Sequence, residues 1–186
     1  MEKRKYFISL ILIFIVGALD AYCYLLHNGM FASMQTGNMI KVAIKLANGD
    51  FQGLGSYFLT MLFFAVGIVV AFLIIAKLKH SEGISIAIAL ACYIIGLLIP
   101  LGTLNSLANL IMAFGVGVQL QAIRSIWGFP VATTMCTGNL RSMSECVGKL
   151  IVERDKKCWI GIFVYSTLIV TFCVGVFVGA LVILKF

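Results

Sequence analysis

Residues 56–76 read SYFLTMLFFAVGIVVAFLIIA, and no side chain in this run carries a charge. A helix that crosses the hydrocarbon core of a bilayer needs about 20 consecutive apolar residues. The run therefore predicts a transmembrane helix. Similar apolar runs at 7–26, 84–104, 107–127 and 158–184 predict four further spans.

The composition of the whole chain agrees with a membrane protein. Hydrophobic residues make up 62% of the 186 residues and charged residues only 11%, whereas a soluble domain has about 25% charged residues. An ordinary soluble globule and a disordered chain are both excluded. Roughly five to seven membrane segments fill the chain, which leaves no room for a soluble catalytic domain. We predict one polytopic all-α membrane domain over residues 1–186.

The net charge of +7 has a membrane explanation. In a soluble protein it would indicate nucleic-acid binding. Here the basic residues cluster beside the apolar runs, as expected for bases that set orientation and contact lipid headgroups. We therefore expect the lipid bilayer as a partner and no nucleic acid. No catalytic motif or metal-ligand spacing stands in the sequence, so we expect no enzyme, metal or cofactor.

Two stretches, 30–48 and 131–151, are as long as a span but polar. A lipid-facing helix would not tolerate such residues, so these stretches are predicted to face protein or water. The first contains Gln35, Thr36, Asn38, Lys41 and Lys45, and the second contains Thr133, Thr134, Thr137, Asn139, Arg141, Glu145 and Lys149.

The chain repeats itself. A shift of 101 places Thr36-Gly37-Asn38 on the second Thr-Gly-Asn, at 137–139, and Asp20 on Gln121. Each half has an apolar span, a polar stretch, a short charged loop and another apolar span. We predict a first repeat at about 7–76, a linker helix at about 84–104 and a second repeat at about 107–184.

The basic residues favour an inverted repeat. If both polar stretches enter the membrane and return, the N-terminal bases, Lys77, Lys79 and the bases at 154–157 all lie in the cytoplasm. The N-terminal run is then a retained first span. If both stretches cross fully, Lys77 and Lys79 lie outside and the repeats are parallel. We favour the inverted arrangement, although Lys41 and Lys45 would then lie near the outer side.

The two Thr-Gly-Asn tripeptides predict helix breaks within the membrane. Glycine frees the backbone, and Thr and Asn can cap a helix start. A helix N-terminus near the midplane presents N–H donors and a positive dipole end, which suits an anion. The alternative is a simple cap with a tight turn. The candidate residues are Thr36, Gly37, Asn38, Thr137, Gly138 and Asn139, with hydroxyls nearby from Ser33, Thr133 and Thr134.

Two charged residues fall inside predicted spans. Asp20 in the first span costs about 2.5–3.5 kcal/mol to insert, so it is either a proton or cation site or a structural hydrogen-bond partner of a Thr-Gly-Asn amide. Arg124, the base of the fourth predicted span, can pair with Asp20, bind an anion or extend to the cytoplasmic surface.

The fourth predicted span also contains Gln119 and Gln121, which cannot share one helix face. The repeat alignment selects Gln121 for the interior. In the last span, Gly175 and Gly179 form a G-x-x-x-G motif, which is typical of close helix packing or of a homodimer.

These residues resemble the signatures of the YoaK-type bacterial membrane family, a domain of unknown function. The first signature is Gly17-Ala18-Leu19-Asp20-Ala21, followed by Gly29-Met30-Phe31 and Thr36-Gly37-Asn38; the second is Gly117-x-Gln119, Arg124, Thr133-Thr134 and Thr137-Gly138. The resemblance covers nearly the whole chain and implies a bacterial inner-membrane protein, without an activity. It favours Gln119 over Gln121, against the repeat alignment, and both remain candidates.

The function that these features predict is a small secondary transporter or channel-like permease for a small solute, an anion being one candidate. Asp20 would couple a proton or cation. The alternative is a non-transporting membrane scaffold in which the same polar residues only satisfy helix breaks. A membrane-embedded enzyme would need a cluster of ionisable side chains around one cavity, which the sequence does not offer.

Overall fold

The computed structural model describes residues 2–185, which form seven helices and one very short hairpin. The helices are α1 (Glu2–Leu26), α2 (Gln35–Ala47), α3 (Leu54–Lys77), α4 (Ser81–Leu98), α5 (Asn105–Ala122), α6 (Cys136–Val152) and α7 (Cys158–Lys185). The hairpin pairs β1 (Ser125–Ile126) with β2 (Phe129–Pro130) in antiparallel fashion. The prediction of an all-α membrane protein is confirmed.

Four of these helices, α1, α3, α4 and α7, are long and apolar enough to cross a membrane. The predicted span at 107–127 corresponds to α5, which has 18 residues and is about 27 Å long at 1.5 Å per residue. It is less apolar because Asn109, Gln119 and Gln121 lie on it. Most of α5 is buried against α3 and α4, so Asn109 and Gln119 are shielded from lipid, whereas Gln121 is half-buried.

The predicted end of that span was wrong. The helix stops at Ala122, and Ile123 is already extended. The chain then turns through the β1–β2 hairpin, where Trp127 and Gly128 have positive φ angles of 49° and 83°. Because the backbone is turned by this hairpin, Arg124 lies beyond the helix rather than inside a span.

The first polar stretch enters the bundle and returns. Residues 27–34 lead back from the end of α1 until Ser33 meets Asp20, which lies about 9 Å before that end at 1.5 Å per residue. The helix α2 then runs outward, because Lys41 Nζ donates a hydrogen bond to the carbonyl of Gly29. With 13 residues, α2 is about 20 Å long and too short to cross.

The second polar stretch behaves in the same way. Residues 123–135 lead back until the carbonyl of Thr133 meets Gln119. The helix α6 then runs antiparallel to α7, since Ser166 Oγ lies 3.2 Å from Met143 Sδ and Gly161 packs against Cys146. Both polar stretches therefore turn back within the bundle, as the re-entrant arrangement predicts.

Contacts near the helix ends show which ends of the helices lie together. Lys5 pairs with Glu82 at 2.6 Å, and a Glu2 carboxylate oxygen accepts from the Trp127 amide at 2.6 Å. We call this the amino-terminal end of the bundle. At the opposite end, Asn105 Nδ2 donates to the carbonyl of Leu26 at 2.8 Å. The helix α2 therefore returns to the opposite end, and α6 returns to the amino-terminal end.

In the inverted arrangement Lys41 and Lys45 would lie near the outer side, and both make local contacts. Lys41 Nζ lies 4.5 Å from the ring centroid of Tyr24 and 4.8 Å from that of Phe31. Lys45 forms an ion pair with Asp50, and the hydrogen bond from Lys45 lowers the pKa of the Asp50 carboxyl. Their charges are thus compensated locally by rings and a carboxylate.

Glycines fix the main helix pairs. A Cβ on Gly17 of α1 would overlap the backbone oxygen of Phe172 in α7, and a Cβ on Gly117 of α5 would overlap that of Phe64 in α3. Only glycine permits so close an approach. The first long helix of each half therefore packs against the last helix of the other half.

The G-x-x-x-G motif belongs to the same packing. A Cβ on Gly175 would overlap the backbone oxygen of Phe14, and one on Gly179 would lie 2.8 Å from the Cα atom of Ala18. This face of α7 is covered by α1 within the chain. A homodimer, if formed, would need a different surface.

Candidate functional site

The helix breaks precede the Thr-Gly-Asn tripeptides. The left-handed residues of the first return are Asn28 and Gly29, with φ angles of 55° and 72°, while Thr36 already lies in the first turn of α2. The prediction that the tripeptides are the breaks, with Thr or Asn as caps, was wrong. The residues at the N-cap positions are Met34 and Met135, and neither gives a side-chain cap.

The two asparagines of the tripeptides have the same structural role. Asn38 accepts from the amide of Phe31 at 3.0 Å and donates to the carbonyl of Phe31 at 2.8 Å. Asn139 accepts from the amide of Ala132 at 3.0 Å and donates to its carbonyl at 2.7 Å. We call this pair of bonds the Asn clasp. Each clasp satisfies both polar groups of one residue in the return segment, which would otherwise be unpaired away from water.

Asp20 holds the first return segment in place. One carboxylate oxygen accepts from the amide of Ser33 at 2.9 Å, and the other accepts from the Ser33 hydroxyl. Asp20 is 3% exposed. The structural hydrogen bond considered for Asp20 is thus present, but its partner lies three residues before Thr36. Among residues 2–185, no basic nitrogen lies within 4.0 Å of the Asp20 carboxylate.

Gln119 occupies the corresponding place in the second half. Its Nε2 donates to the carbonyl of Thr133 at 2.9 Å, and its Oε1 accepts from the hydroxyl of Tyr93 at 2.8 Å. Gln119 is fully buried, whereas Gln121 is half-buried. The repeat alignment that selected Gln121 was wrong here: the residue that reaches the second return segment is Gln119, which lies 99 positions after Asp20 and not 101.

Two threonine hydroxyls at the end of the second return are buried without a partner. Thr133 Oγ1 and Thr134 Oγ1 make no hydrogen bond among the described residues, and the same holds for Ser85 Oγ on α4. An unsatisfied buried hydroxyl costs about 1–3 kcal/mol. These atoms are therefore available to any polar group that enters the site.

Several predicted site residues face outward instead. Thr36, Thr137 and Gly138 are exposed on the first turns of α2 and α6. Gly37 is half-buried, and a Cβ there would lie 3.0 Å from the ring of Phe31. The cause is the helical register, which turns each Asn inward and its neighbours away.

Arg124 does not pair with Asp20. Its side chain is exposed, and its carbonyl accepts from the amide of Val131 at 3.0 Å beside the hairpin. The predicted interaction with Asp20 fails because α5 ends before Arg124. The structure agrees with the expectation that this side chain extends to the surface at the amino-terminal end.

Both return segments pack against one core. Ala32 of the first return and Met135 of the second both pack in the cluster that contains Tyr93 of α4. Tyr93 joins this cluster to Gln119 through its hydroxyl group. Sequence reasoning missed Tyr93, although a single tyrosine in the middle of an apolar span was a signal of a buried hydrogen bond.

The polar side chains that hold the return segments are buried. Two cavities, of about 770 Å³ and about 430 Å³, lie at the two ends of the bundle. The larger is between α1 and α4, and the smaller lies beside Asn28 and Tyr57. Neither is lined by Asp20, Gln119 or an Asn clasp. The polar groups at the returns are packed against protein.

A second buried polar group was not predicted as a site. Both ring nitrogens of His27 and Oδ1 of Asn109 are buried without a partner among the described residues. Asn109 Nδ2 donates to Thr60 Oγ1 at 3.1 Å, and the ring of His27 packs edge-on against Tyr22. The signal in the sequence for this second polar group was Asn109, a polar residue within a predicted apolar span.

Long apolar helices, two re-entrant helices and a buried polar interior together define a multi-pass α-helical membrane protein. The chain belongs to the family described as protein of unknown function (DUF1275), whose model matches residues 8–185. It is similar to the UPF0700 transmembrane protein YoaK of Bacillus subtilis (strain 168), with 23% identity over 175 residues, which cover 89% of this chain and 78% of that relative. No solved structure matches the chain. The resemblance to the YoaK-type family is confirmed.

Proposed function

We propose that this protein is a small secondary transporter or channel-like permease for a small solute, built as an inverted repeat around two broken helices. The observation that carries the proposal is that both return segments pack against the core cluster that contains Tyr93. Each return starts a short helix inside the bundle, the two helices run to opposite ends, and each is held by an Asn clasp. Many transporters use paired broken helices of this kind at the membrane midplane.

An anionic solute fits the polarity of the site. The first turns of α2 and α6 present backbone N–H groups and positive dipole ends, and no side chain caps Met34 or Met135. The hydroxyls of Thr133 and Thr134 are additional donors without partners. A small anion that enters between the returns would satisfy these groups.

Asp20 is the proposed coupling residue. It is the acid of the site, whereas Gln119 at the corresponding place is neutral. Protonation of Asp20 would remove the negative charge that accepts two hydrogen bonds from Ser33. The first return segment would then be held less tightly, which is the kind of bistable element that alternating access needs.

The membrane and the orientation are part of the proposal. The bases at the amino-terminal end include those of the N-terminal run, of the α3–α4 turn and of the α6–α7 turn. The positive-inside rule places this end in the cytoplasm. We therefore propose an inner-membrane protein with a cytoplasmic N-terminus.

The test uses purified protein in liposomes that contain a pH-sensitive dye, with gradients of chloride, phosphate, lactate and succinate imposed in turn. At least one gradient should give faster dye response than in protein-free liposomes. Asp20→Asn keeps the shape and both hydrogen-bonding positions toward Ser33, and it should abolish that response. Asp155→Asn, which removes an equivalent charge from the α6–α7 turn, should leave it unchanged. Equal responses in both variants would contradict the role of Asp20.

The scaffold alternative is favoured by one observation. The side chains of Asp20, Asn38, Gln119 and Asn139 all have hydrogen-bond partners within the chain. A scaffold predicts that substitutions there lower Tm, that none of the four gradients is dissipated, and that none of these anions raises Tm. A transporter predicts ligand stabilisation of about 2.7 kcal/mol at a solute concentration of 100 Kd.

A further inference from the structure

An open groove lies between α1 and α4 at the amino-terminal end of the bundle. The helix α1 packs along α7, and α4 packs along α5, so each has its main contacts with another helix and a groove is left between them. The groove between them has a volume of about 770 Å³. Binding sites for small molecules have volumes of about 300–1,000 Å³.

The groove has two chemically different parts. Its mouth is polar and its walls are apolar. The mouth residues are Arg4, Lys5, Lys79, His80, Ser81 and Glu82, and the wall residues include Ile8, Ile11, Ile15, Ile86 and Leu90. The polar part is at the helix ends, where lipid headgroups lie, and the apolar part extends along the helices to the depth of acyl chains.

The charge at the mouth is positive. Lys5 pairs with Glu82 at 2.6 Å, which neutralises the acidic residue of the lining. Arg4 and Lys79 are exposed and form no ion pair among residues 2–185. Two basic side chains are therefore free to bind an anion at the top of an apolar groove.

We propose that this groove binds one anionic phospholipid of the surrounding leaflet. The phosphate lies between Arg4 and Lys79, and one acyl chain lies along Ile8, Ile11 and Ile86. An anionic headgroup matches the two unpaired bases, and only a lipid also supplies an apolar chain at the depth of the isoleucines. The site is separate from the polar core around Tyr93, so it stands independently of the proposed transport function.

The charge part of the proposal is tested with the full-length protein by native mass spectrometry. The probes are phosphatidylglycerol and phosphatidylcholine with identical acyl chains. The wild type should prefer phosphatidylglycerol by about 30-fold, as expected for two basic side chains near an anionic lipid. Arg4→Gln combined with Lys79→Gln should reduce this preference to about one. Lys156→Gln combined with Lys157→Gln removes two charges from the same end outside the groove and should leave the preference intact.

The shape part is tested at Gly83. This residue lines the groove, and a Cβ there would meet no atom within 4 Å. Gly83→Leu should therefore fold normally while its side chain fills the mouth and abolishes the preferential binding of phosphatidylglycerol. Gly55→Leu is the matched control, because Gly55 lies in the first turn of α3 with equally open surroundings.

The outcomes separate a lipid from a soluble phosphate ligand. Glycerophosphoglycerol, the headgroup without acyl chains, should neither raise Tm nor displace phosphatidylglycerol at matched concentration. If it does either, the groove binds a soluble phosphate and the lipid assignment is wrong. A phosphatidylglycerol preference that survives both the double charge variant and Gly83→Leu would also overturn the proposal.

Discussion

The first return segment, residues 27–34, and the second, residues 123–135, differ in the side chain that holds them. Each is held by an Asn clasp, in which the asparagine lies seven residues after the residue that it bonds. The preceding helix, however, adds a carboxylate to the first return through Asp20 and a neutral amide to the second through Gln119. The Asn clasp, which both return segments share, positions the backbone, and the side chain that differs between them carries a charge in the first.

This difference indicates where a specific activity should lie. A neutral clasp is enough to satisfy the buried backbone of a return segment, as the second half shows. A buried carboxylate is costly in a membrane, and the second return segment is held without one. The largest effects are expected where the two halves agree, and smaller ones where they differ.

The largest expected effect comes from the helix crossings. Gly17→Leu and Gly117→Leu each place a side chain against backbone atoms of the opposite helix, and each should destabilise the fold by about 3 kcal/mol or more. The measurement is Tm in detergent together with the fraction of monodisperse protein. Gly148→Leu, whose Cβ would meet no atom within 4 Å, is the control. A large loss in only one half would show that the two crossings are not equivalent.

The Asn clasps come next. Asn38→Ala and Asn139→Ala each leave a partly buried amide and carbonyl without their partner, and we expect a loss of about 1–2 kcal/mol for each. Tm of the purified variants measures this loss. Thr36→Ala and Thr137→Ala, on the exposed sides of the same turns, should change stability by less than about 0.5 kcal/mol. If the Asn variants behave like these controls, the clasps do not hold the returns.

A smaller effect is expected at the bond between α4 and α5. Tyr93→Phe leaves Gln119 Oε1 without its donor, and we expect a loss of about 1 kcal/mol. A double-mutant cycle with Gln119→Leu should give a coupling energy of about 1 kcal/mol between the two side chains. The same cycle with Gln121→Leu should give a coupling energy near zero. Coupling of Tyr93 to Gln121 instead would restore the repeat alignment.

The smallest effect concerns the ion pair of the first half. A shift of 101 places Cys146 opposite Lys45, so the pair with Asp50 has no equivalent in the second half. The pKa of Asp50 is lowered in the folded protein by the hydrogen bond from Lys45. The stability that this ion pair contributes is therefore present above pH 3.8, the ordinary pKa of the carboxyl. It is lost as the pH falls through the lowered pKa of the folded protein.

This pH dependence is checked by comparing Tm of the wild type and Asp50→Asn. The wild type should be slightly more stable at neutral pH, and the two curves should converge below about pH 4. A difference that persists in acid would show that Asp50 acts through packing and not through its charge.

The sequence predicted the helices better than the ends of the helices. Long apolar runs located α1, α3, α4 and α7, because burial in lipid depends mainly on composition. The end of α5 was missed because the turn at Trp127 and Gly128 is set by the hairpin and by Glu2 from another helix. The sequence Gly128-Phe129-Pro130 was a turn signal that could have marked it.

The site was predicted in part. The duplicated tripeptides located Asn38 and Asn139, since both asparagines have the same local partner. Ser33 was named as a nearby hydroxyl, but its bond to Asp20 depends on how far the return segment penetrates. Tyr93 was not predicted as a site residue, because it lies on the linker helix α4, outside both predicted repeats, and its partner Gln119 comes from another helix. A sequence pattern can predict contacts between residues close together in the chain. Contacts between helices can be assigned only once the packing of the helices is known.

The parallel pairing of α1 with α7 has a consequence for biosynthesis. Tyr6 bonds to Thr167 and Gly17 lies against Phe172, so the first of the seven helices to leave the ribosome has its main partner in the seventh. Until α7 has been synthesised, the glycine-lined face of α1 has only lipid or an insertion factor to cover it. The slow step of assembly is therefore expected to follow the synthesis of α7.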